Sequence, residues 1–381
     1  MIAAYLDAAI AQARERAKVL KGKMPNPLPS PELGGLQRAC EQSLDQTIQV
    51  LDYLNSDPQI RSPQAIRERL RIFRRALGDL SQLEATGIAA LNRHNADDVL
   101  LSKLVFQVHQ EIRYPLPPPA VSALSQSYFM IYPQLGLLVV PLAESDSLLH
   151  LPDLYHELAH PLLAVSNNPK VEALQHVFDA FLSSVSEHYD RERLENARIT
   201  GPKDYFRQAL DLFELQWIKF WSAEIFCDLF ALYTLGPAYA WAHFHLTAAR
   251  EVDPYSVRVD RVISHPPDQA RMEAILHGLG LLHLEQEAGR VRDKWSALLA
   301  LTGSKQDSNF RKACPRSLLE QAAEHALRGT KAIGCRIADG SASGKVHALL
   351  NAAWQEFWKN PAAYPTWEKK AVQQLRAEHG V

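Results

Sequence analysis

From Leu229 to Ala249 the chain contains no Asp, Glu, Lys or Arg. A stretch of that length can cross a bilayer as one helix. However, Gly236-Pro237 interrupts it near its middle, and His243, His245 and Thr247 crowd its second half. A proline removes a backbone donor and clashes with the preceding turn, so one continuous helix is disfavoured. The sequence therefore predicts two buried helices joined by a turn, and no integral membrane segment. Burying such a pair requires a large body around it. At 381 residues, 47% hydrophobic and 22% charged, the chain has material for one large core or two.

The charge balance narrows the class. A formal net charge of −2 offers no basic face for nucleic acid. Cys40, Cys227, Cys314 and Cys335 are far apart with no C-x-x-C, so neither a disulfide framework nor a thiolate zinc site is indicated. That usage fits a reduced, cytoplasmic protein. The first twenty residues carry Asp7, Arg14, Glu15, Arg16 and Lys18 at helical spacing, which is not the pattern of a signal peptide.

Periodicity predicts helices over 2–21, from Gly34-Gly35 to about Tyr53, over 63–77 and over 96–112. Arg67, Arg69, Arg71, Arg74 and Arg75 read as a solvated helix face, because Glu68 and Asp79 interleave with them. Tyr114-Pro115-Leu116-Pro117-Pro118-Pro119 forbids regular structure and marks a boundary. Two short aromatic and β-branched runs follow, 128–132 and 135–140, and these read as strands. After about Gly289 helices return over 290–301, 315–328, 345–359 and 366–378. Trp354, Phe357, Trp358 and Trp367 cluster late, as expected of a packed helical cap.

The chemistry is concentrated in Leu154-Tyr155-His156-Glu157-Leu158-Ala159-His160. In this H-E-x-x-H pattern, a zinc hydrolase signature, two histidines four apart share one helix face, so both imidazoles can reach one metal ion while Glu157 leans over the same site. Pro152 and Asp153 suit the first turn of such a helix. Pro161 threatens a kink just after His160. A hydrolytic zinc needs a third protein ligand and an open fourth position. Glu224 and Asp228 stand one turn apart in the apolar run Trp221–Leu229, where two carboxylates are costly unless compensated. Glu224 as zinc ligand, with Asp228 holding a ligand imidazole through its other ring nitrogen, supplies that compensation. Cys227 points off this face and reads as core. Farther on, Ser264-His265-Pro266-Pro267 is a rigid turn before a helix that starts at Asp268 and carries Arg271. A histidine held by two prolines is well placed to hydrogen-bond a developing oxyanion, although a capping or merely exposed histidine is the more usual reading of such a residue.

H-E-L-A-H, E-I-F-C-D and S-H-P-P-D-Q-A-R, in that order, resemble the gluzincin metallopeptidases. The third element is similar to that of the CAAX prenyl protease and HtpX-type peptidases. The resemblance spans about residues 135 to 280. It implies a zincin-like core, His156, His160 and Glu224 as zinc ligands, Glu157 as general base, Asp228 behind a ligand, and His265 with Arg271 supporting the site. His265 or Tyr239 would then steady the oxyanion. The chain departs from the family in Pro161 and in lacking its membrane helices.

The sequence thus predicts a mainly α (α+β) fold: an N-terminal helical region (1–113), a zincin-like metallopeptidase core with a small β-sheet (114–289) and a C-terminal helical region (290–381). The expected function is zinc-dependent hydrolysis of a peptide or protein substrate. The alternative is a helical interaction or sensor protein with a structural or inactive zinc site.

Overall fold

Helix-forming sequence dominates, and the computed structural model, which describes residues 2–125, 128–165, 167–200, 204–306, 308–338 and 344–380, is mainly helical with one three-stranded sheet. Contacts group the chain into two compact units, Met1–Val105 with Pro118–Ser145, and Phe106–Pro117 with Asp146–Gly380. This grouping differs from the three-part reading. The strands pack into the core of the N-terminal helices, and the late helices belong to the same unit as the H-E-x-x-H segment.

The first unit contains α1 (Ile2–Lys23), α2 (Gly34–Ser56), α3 (Ile66–Leu83), the short α4 (Ala89–Asn92) and most of α5 (Ala96–Glu111). Leu20, Leu36, Leu44, Leu80 and Ile88 share one core with Leu137 and Val139 of the sheet. Arg69 corrects the solvated-face reading of the arginine-rich helix. It is buried, its Nε donates to the Leu54 carbonyl at 2.8 Å, and it pairs with Asp7 at 2.5 Å. The cause is positional: Arg69 stands four residues before buried Phe73, on the stripe that also carries Ala76 and Leu80. Arg71 pairs with Glu68 at the surface, as a solvated face would.

The sheet runs β1 (Ala120–Ser125), β3 (Leu137–Pro141), β2 (Met130–Tyr132), with β1 parallel and β2 antiparallel to the central β3. Leu137 to Val140 are buried without alternation, as a central strand covered on both faces requires. Gly136 (φ 56°) reverses the chain after Pro133–Leu135 and lets Leu137 enter the ladder. β1 was not expected, because Ala-Val-Ser-Ala-Leu-Ser has few residues that favour strands.

The second unit is helical: α6 (Asp153–Ala164), α7 (Glu172–Thr200), α8 (Asp204–Gln216), α9 (Ser222–Leu235), α10 (Pro237–Ala248), α11 (Asp268–Leu281), α12 (Glu285–Thr302), α13 (Ser308–Ala313), α14 (Arg316–Ala332), α15 (Lys345–Lys359) and α16 (Tyr364–His379). One π-turn, Trp217–Trp221, joins α8 to α9. The uncharged stretch folds as the sequence predicts, into α9 and α10 around a corner at Gly236. Every residue from Ile225 to Leu235 is buried, and α9 packs against α6, α11 and α14. Gly236 has φ 84° and ψ −151°, backbone open in practice only to glycine. Asn351 of α15 fastens this corner, accepting from Ala238 N–H at 3.1 Å and donating to the Leu235 carbonyl at 2.9 Å. At Gly278 a Cβ would lie 2.6 Å from Leu232, so glycine permits the close approach of α11 to α9. The late aromatics form the expected packed cap, with Trp354 and Trp358 at 6.4 and 4.9 Å from Trp241. Among the described residues no helix is long and apolar enough to cross a membrane. The cysteines are free and buried.

Candidate metal centre

The H-E-x-x-H segment lies within α6, which begins directly after Pro152. One helical turn brings His156 and His160 edge to face, with ring centroids 5.0 Å apart. Ligand-capable atoms of His156, Glu157 and His160 all lie within 4.8 Å of one another. Pro161 does not end the helix, which continues to Ala164. It lacks the N–H that would reach the Glu157 carbonyl, and the next carbonyl, Leu158, accepts the Tyr114 hydroxyl at 2.6 Å. The disturbance falls after His160, and the two imidazoles stay together.

Because α9 packs along α6, its two carboxylates reach opposite nitrogens of one ring. Glu224 Oε2 is 3.5 Å from His156 Nε2, and Glu224 Oε1 is 3.9 Å from His160 Nε2. Asp228 Oδ1 is 2.8 Å from His156 Nδ1. Asp228, fully buried, is also gripped by Arg271 of α11, whose Nε donates to Oδ2 at 2.7 Å and whose Nη2 donates to Oδ1 at 2.6 Å. The Glu224 and Asp228 side chains are thus not the surface pair that such spacing often means.

Tyr239 of α10 donates its hydroxyl to Asp228 and lies 3.1 Å from His156 Nδ1. The expectation that Tyr239 steadies an oxyanion is therefore corrected. Its hydroxyl is committed to a buried carboxylate on the Nδ1 side of His156, away from Glu224. His265 stands at the mouth, its side chain 60% exposed, with Nε2 3.7 Å from Glu224 Oε2. Ser264 Oγ lies 2.9 Å from His265 Nδ1.

Electrostatics split the two histidines. Burial pulls the His156 imidazolium down, but hydrogen bonds and charge from Asp228 and Glu224 outweigh it and lift the group to about 10. Burial and the neighbouring His156 charge push His160 down to about 4. Burial raises Glu224, yet the bond and charge of His156 more than reverse this and hold it at about 2. Burial likewise opposes the ionised forms of Asp228 and Arg271. Their mutual attraction wins, keeping Asp228 well below and Arg271 well above their usual ranges. His265 is lowered, by burial of its ring first.

Two contributing residues carry no sequence signal. Trp221 Nε1 donates to the Ile263 carbonyl at 2.9 Å, and Ile263 N–H donates to Gln216 Oε1 at 3.1 Å. They bracket a π-turn, which no residue pattern announces. Comparison of the chain with family models, with curated proteins and with solved structures finds no match.

Proposed function

We propose that this protein is a zinc-dependent metallopeptidase of the gluzincin type, with the second unit as its zincin-like core. The observation that carries the proposal is the Glu224 carboxylate, 3.5 and 3.9 Å from the Nε2 atoms of His156 and His160. Around tetrahedral zinc, ligand bonds of about 2.0–2.2 Å put neighbouring donors roughly 3.3–3.6 Å apart. The His156 separation, to Oε2, lies within that range, and the His160 separation, to Oε1, is a few tenths of an ångström outside it. Two nitrogens and an oxygen are donors that zinc takes, and burial lowers His160 toward its neutral, ligating form. Bound by His156, His160 and Glu224, zinc would supply a Lewis acid that acidifies water and polarises a carbonyl.

The remaining work falls to the chain's own groups. Glu157 takes the proton of the attacking water onto its carboxylate and delivers it to the leaving amine. Asp228 accepts the Nδ1 proton of His156, which fixes the tautomer and leaves Nε2 for ligation. Arg271 keeps Asp228 ionised where burial would neutralise it. Ser264 Oγ and His265 Nδ1 share a hydrogen bond; in the tautomer in which the hydroxyl donates, neutral His265 carries its proton on Nε2, where it can be offered to a developing oxyanion. The free, buried thiols support a reducing, cytoplasmic setting.

The structural-zinc alternative draws on His265, whose Nε2 lies close enough to Glu224 to be considered as a fourth, closing ligand. Its exposure and the presence of Glu157 favour an open site, since a structural zinc has no use for a base. Zinc content measured by mass spectrometry, alongside cleavage of a mixed peptide library, separates the two readings. One zinc per chain, lost in Glu224→Ala, with chelator-sensitive cleavage is expected; zinc without any cleavage supports the structural alternative. Glu157→Gln should keep its zinc and lose about 10²–10⁴-fold in hydrolysis, the usual contribution of a positioned base. Full activity in that variant would remove Glu157 from the mechanism.

A further inference from the structure

His265 reaches the site from a segment with no helix or strand of its own, residues 249–267. On the C-terminal side His265 is held by the buried Pro266-Pro267, whose second carbonyl takes the Ala270 and Arg271 N–H groups of α11; on the N-terminal side its register depends on how the backbone before it is fixed. Most of the segment's internal ties are local: Ser256 N–H to the Asp253 carbonyl at 2.9 Å, and Arg258 to Asp260 at 2.7 Å. The start of α11 adds Gln269 N–H to the Pro254 carbonyl at 3.0 Å. Ile263, two residues before His265, is held differently. Both of its backbone polar groups are taken by side chains, its N–H by Gln216 and its carbonyl by Trp221. Gln216 is fully buried and Trp221 is nearly so, which shields both side chains from solvent.

Gln216 and Trp221 are five residues apart. In an α-helix that separation turns side chains about 140° away from each other. The π-turn at Trp217–Trp221, bonded between residues five apart, brings the two positions back toward one side. Three residues later the same continuous helix carries Glu224. The backbone at Ile263 and the carboxylate of Glu224 are therefore registered to one rigid element.

From this we propose that Gln216 and Trp221 are positioning residues, a two-point clamp that sets the 249–267 segment over Glu224 and so places His265 for the substrate. The catalytic half of the inference rests on the peptidase reading; the clamp itself does not. Trp221→Phe keeps the aromatic ring and removes only the donor. Gln216→Met keeps the length and removes the acceptor without burying a charge.

The test uses the full zinc-loaded chain and two readouts. Amide hydrogen exchange over 258–265 should quicken about tenfold or more in Trp221→Phe and Gln216→Met, and not change over 225–235. Hydrolysis of a mixed fluorogenic peptide library should fall about tenfold in kcat in Trp221→Phe, with one zinc per chain retained. In a His265→Ala background the same substitution should cause no further loss, since residues acting through one another are not additive. Unchanged exchange in both variants overturns the clamp whatever the activity. Quickened exchange with unchanged or additive rates overturns the positioning role. A wild type that hydrolyses no peptide overturns the peptidase reading and the catalytic half with it, while the exchange result alone decides the clamp.

Discussion

The two sides of the His156 imidazole are built on opposite principles. Behind Nδ1, Asp228, Arg271 and Tyr239 are almost completely buried and interlocked, with the guanidinium on the carboxylate at 2.6 and 2.7 Å. In front of Nε2 the groups are looser and wetter: Glu224 at 3.5 Å, His160 with 26% of its side chain exposed, and His265 at the mouth. A buried ion pair is rarely a source of net stability, because desolvation offsets most of the attraction. What it does here is hold one ring nitrogen in place so that the other can face a site left open. Rigidity and reactivity are divided across a single side chain.

The comparison breaks most readily through Arg271. Arg271→Ala leaves the Asp228 charge buried and unpaired, and loss of one partner from such a pair costs about 3–5 kcal/mol. His265→Ala, at the exposed front, should change stability by no more than about 0.5 kcal/mol. Urea unfolding followed by circular dichroism gives both values, and similar midpoints for the two variants would abolish the distinction between back and front.

Tyr239 sharpens it at a smaller scale. Tyr239→Phe removes one bond to Asp228 while the Arg271 grip remains, so zinc affinity should weaken about tenfold, the low end for a residue supporting a ligand. Competition with a chromophoric chelator reads this directly. An unchanged affinity would mean that Arg271 alone sets the His156 ring.

Much of this division was legible in the sequence, and the reasons for the rest are physical. H-E-x-x-H and the Glu224/Asp228 spacing depend on helical periodicity, which is local, so Glu224 could be read as a candidate zinc ligand and Asp228 as the partner of a ligand imidazole before any fold was known; that both carboxylates meet the same ring, His156, needed the packing of α9 on α6. The corner at Gly236 was legible for the same reason, since glycine and proline act on their own backbone. Tyr239 was misplaced because its direction is set by how α10 crosses α9. Arg69 was misread because a burial stripe can include a charge when Asp7 and a free carbonyl await it. The π-turn between Gln216 and Trp221, β1 with its weak strand composition, and the long α7 are settled by tertiary packing, which outweighs local preference.

The finest test of the two-sided ring is a proton count. Without metal His156 is held between Asp228 and Glu224 with its value lifted to about 10, so at pH 7 it carries two ring protons, and ligation by Nε2 must expel one. His160, at about 4, is neutral there and releases none. Zinc binding measured by calorimetry in buffers of different ionisation enthalpy should therefore release about one proton at pH 7, and affinity should rise about tenfold per pH unit from roughly 5 to 9. Below about 4 the slope should steepen as His160 also competes with the metal. The same shift gives the metal-free fold a pH dependence whose sign is fixed. A folded-state value above the ordinary 6.5 stabilises the protein fully below 6.5, and that contribution is lost as pH rises through about 10. Release of no proton at pH 7 would mean that the carboxylates do not charge the ring, and the division between its two sides would then be one of packing alone.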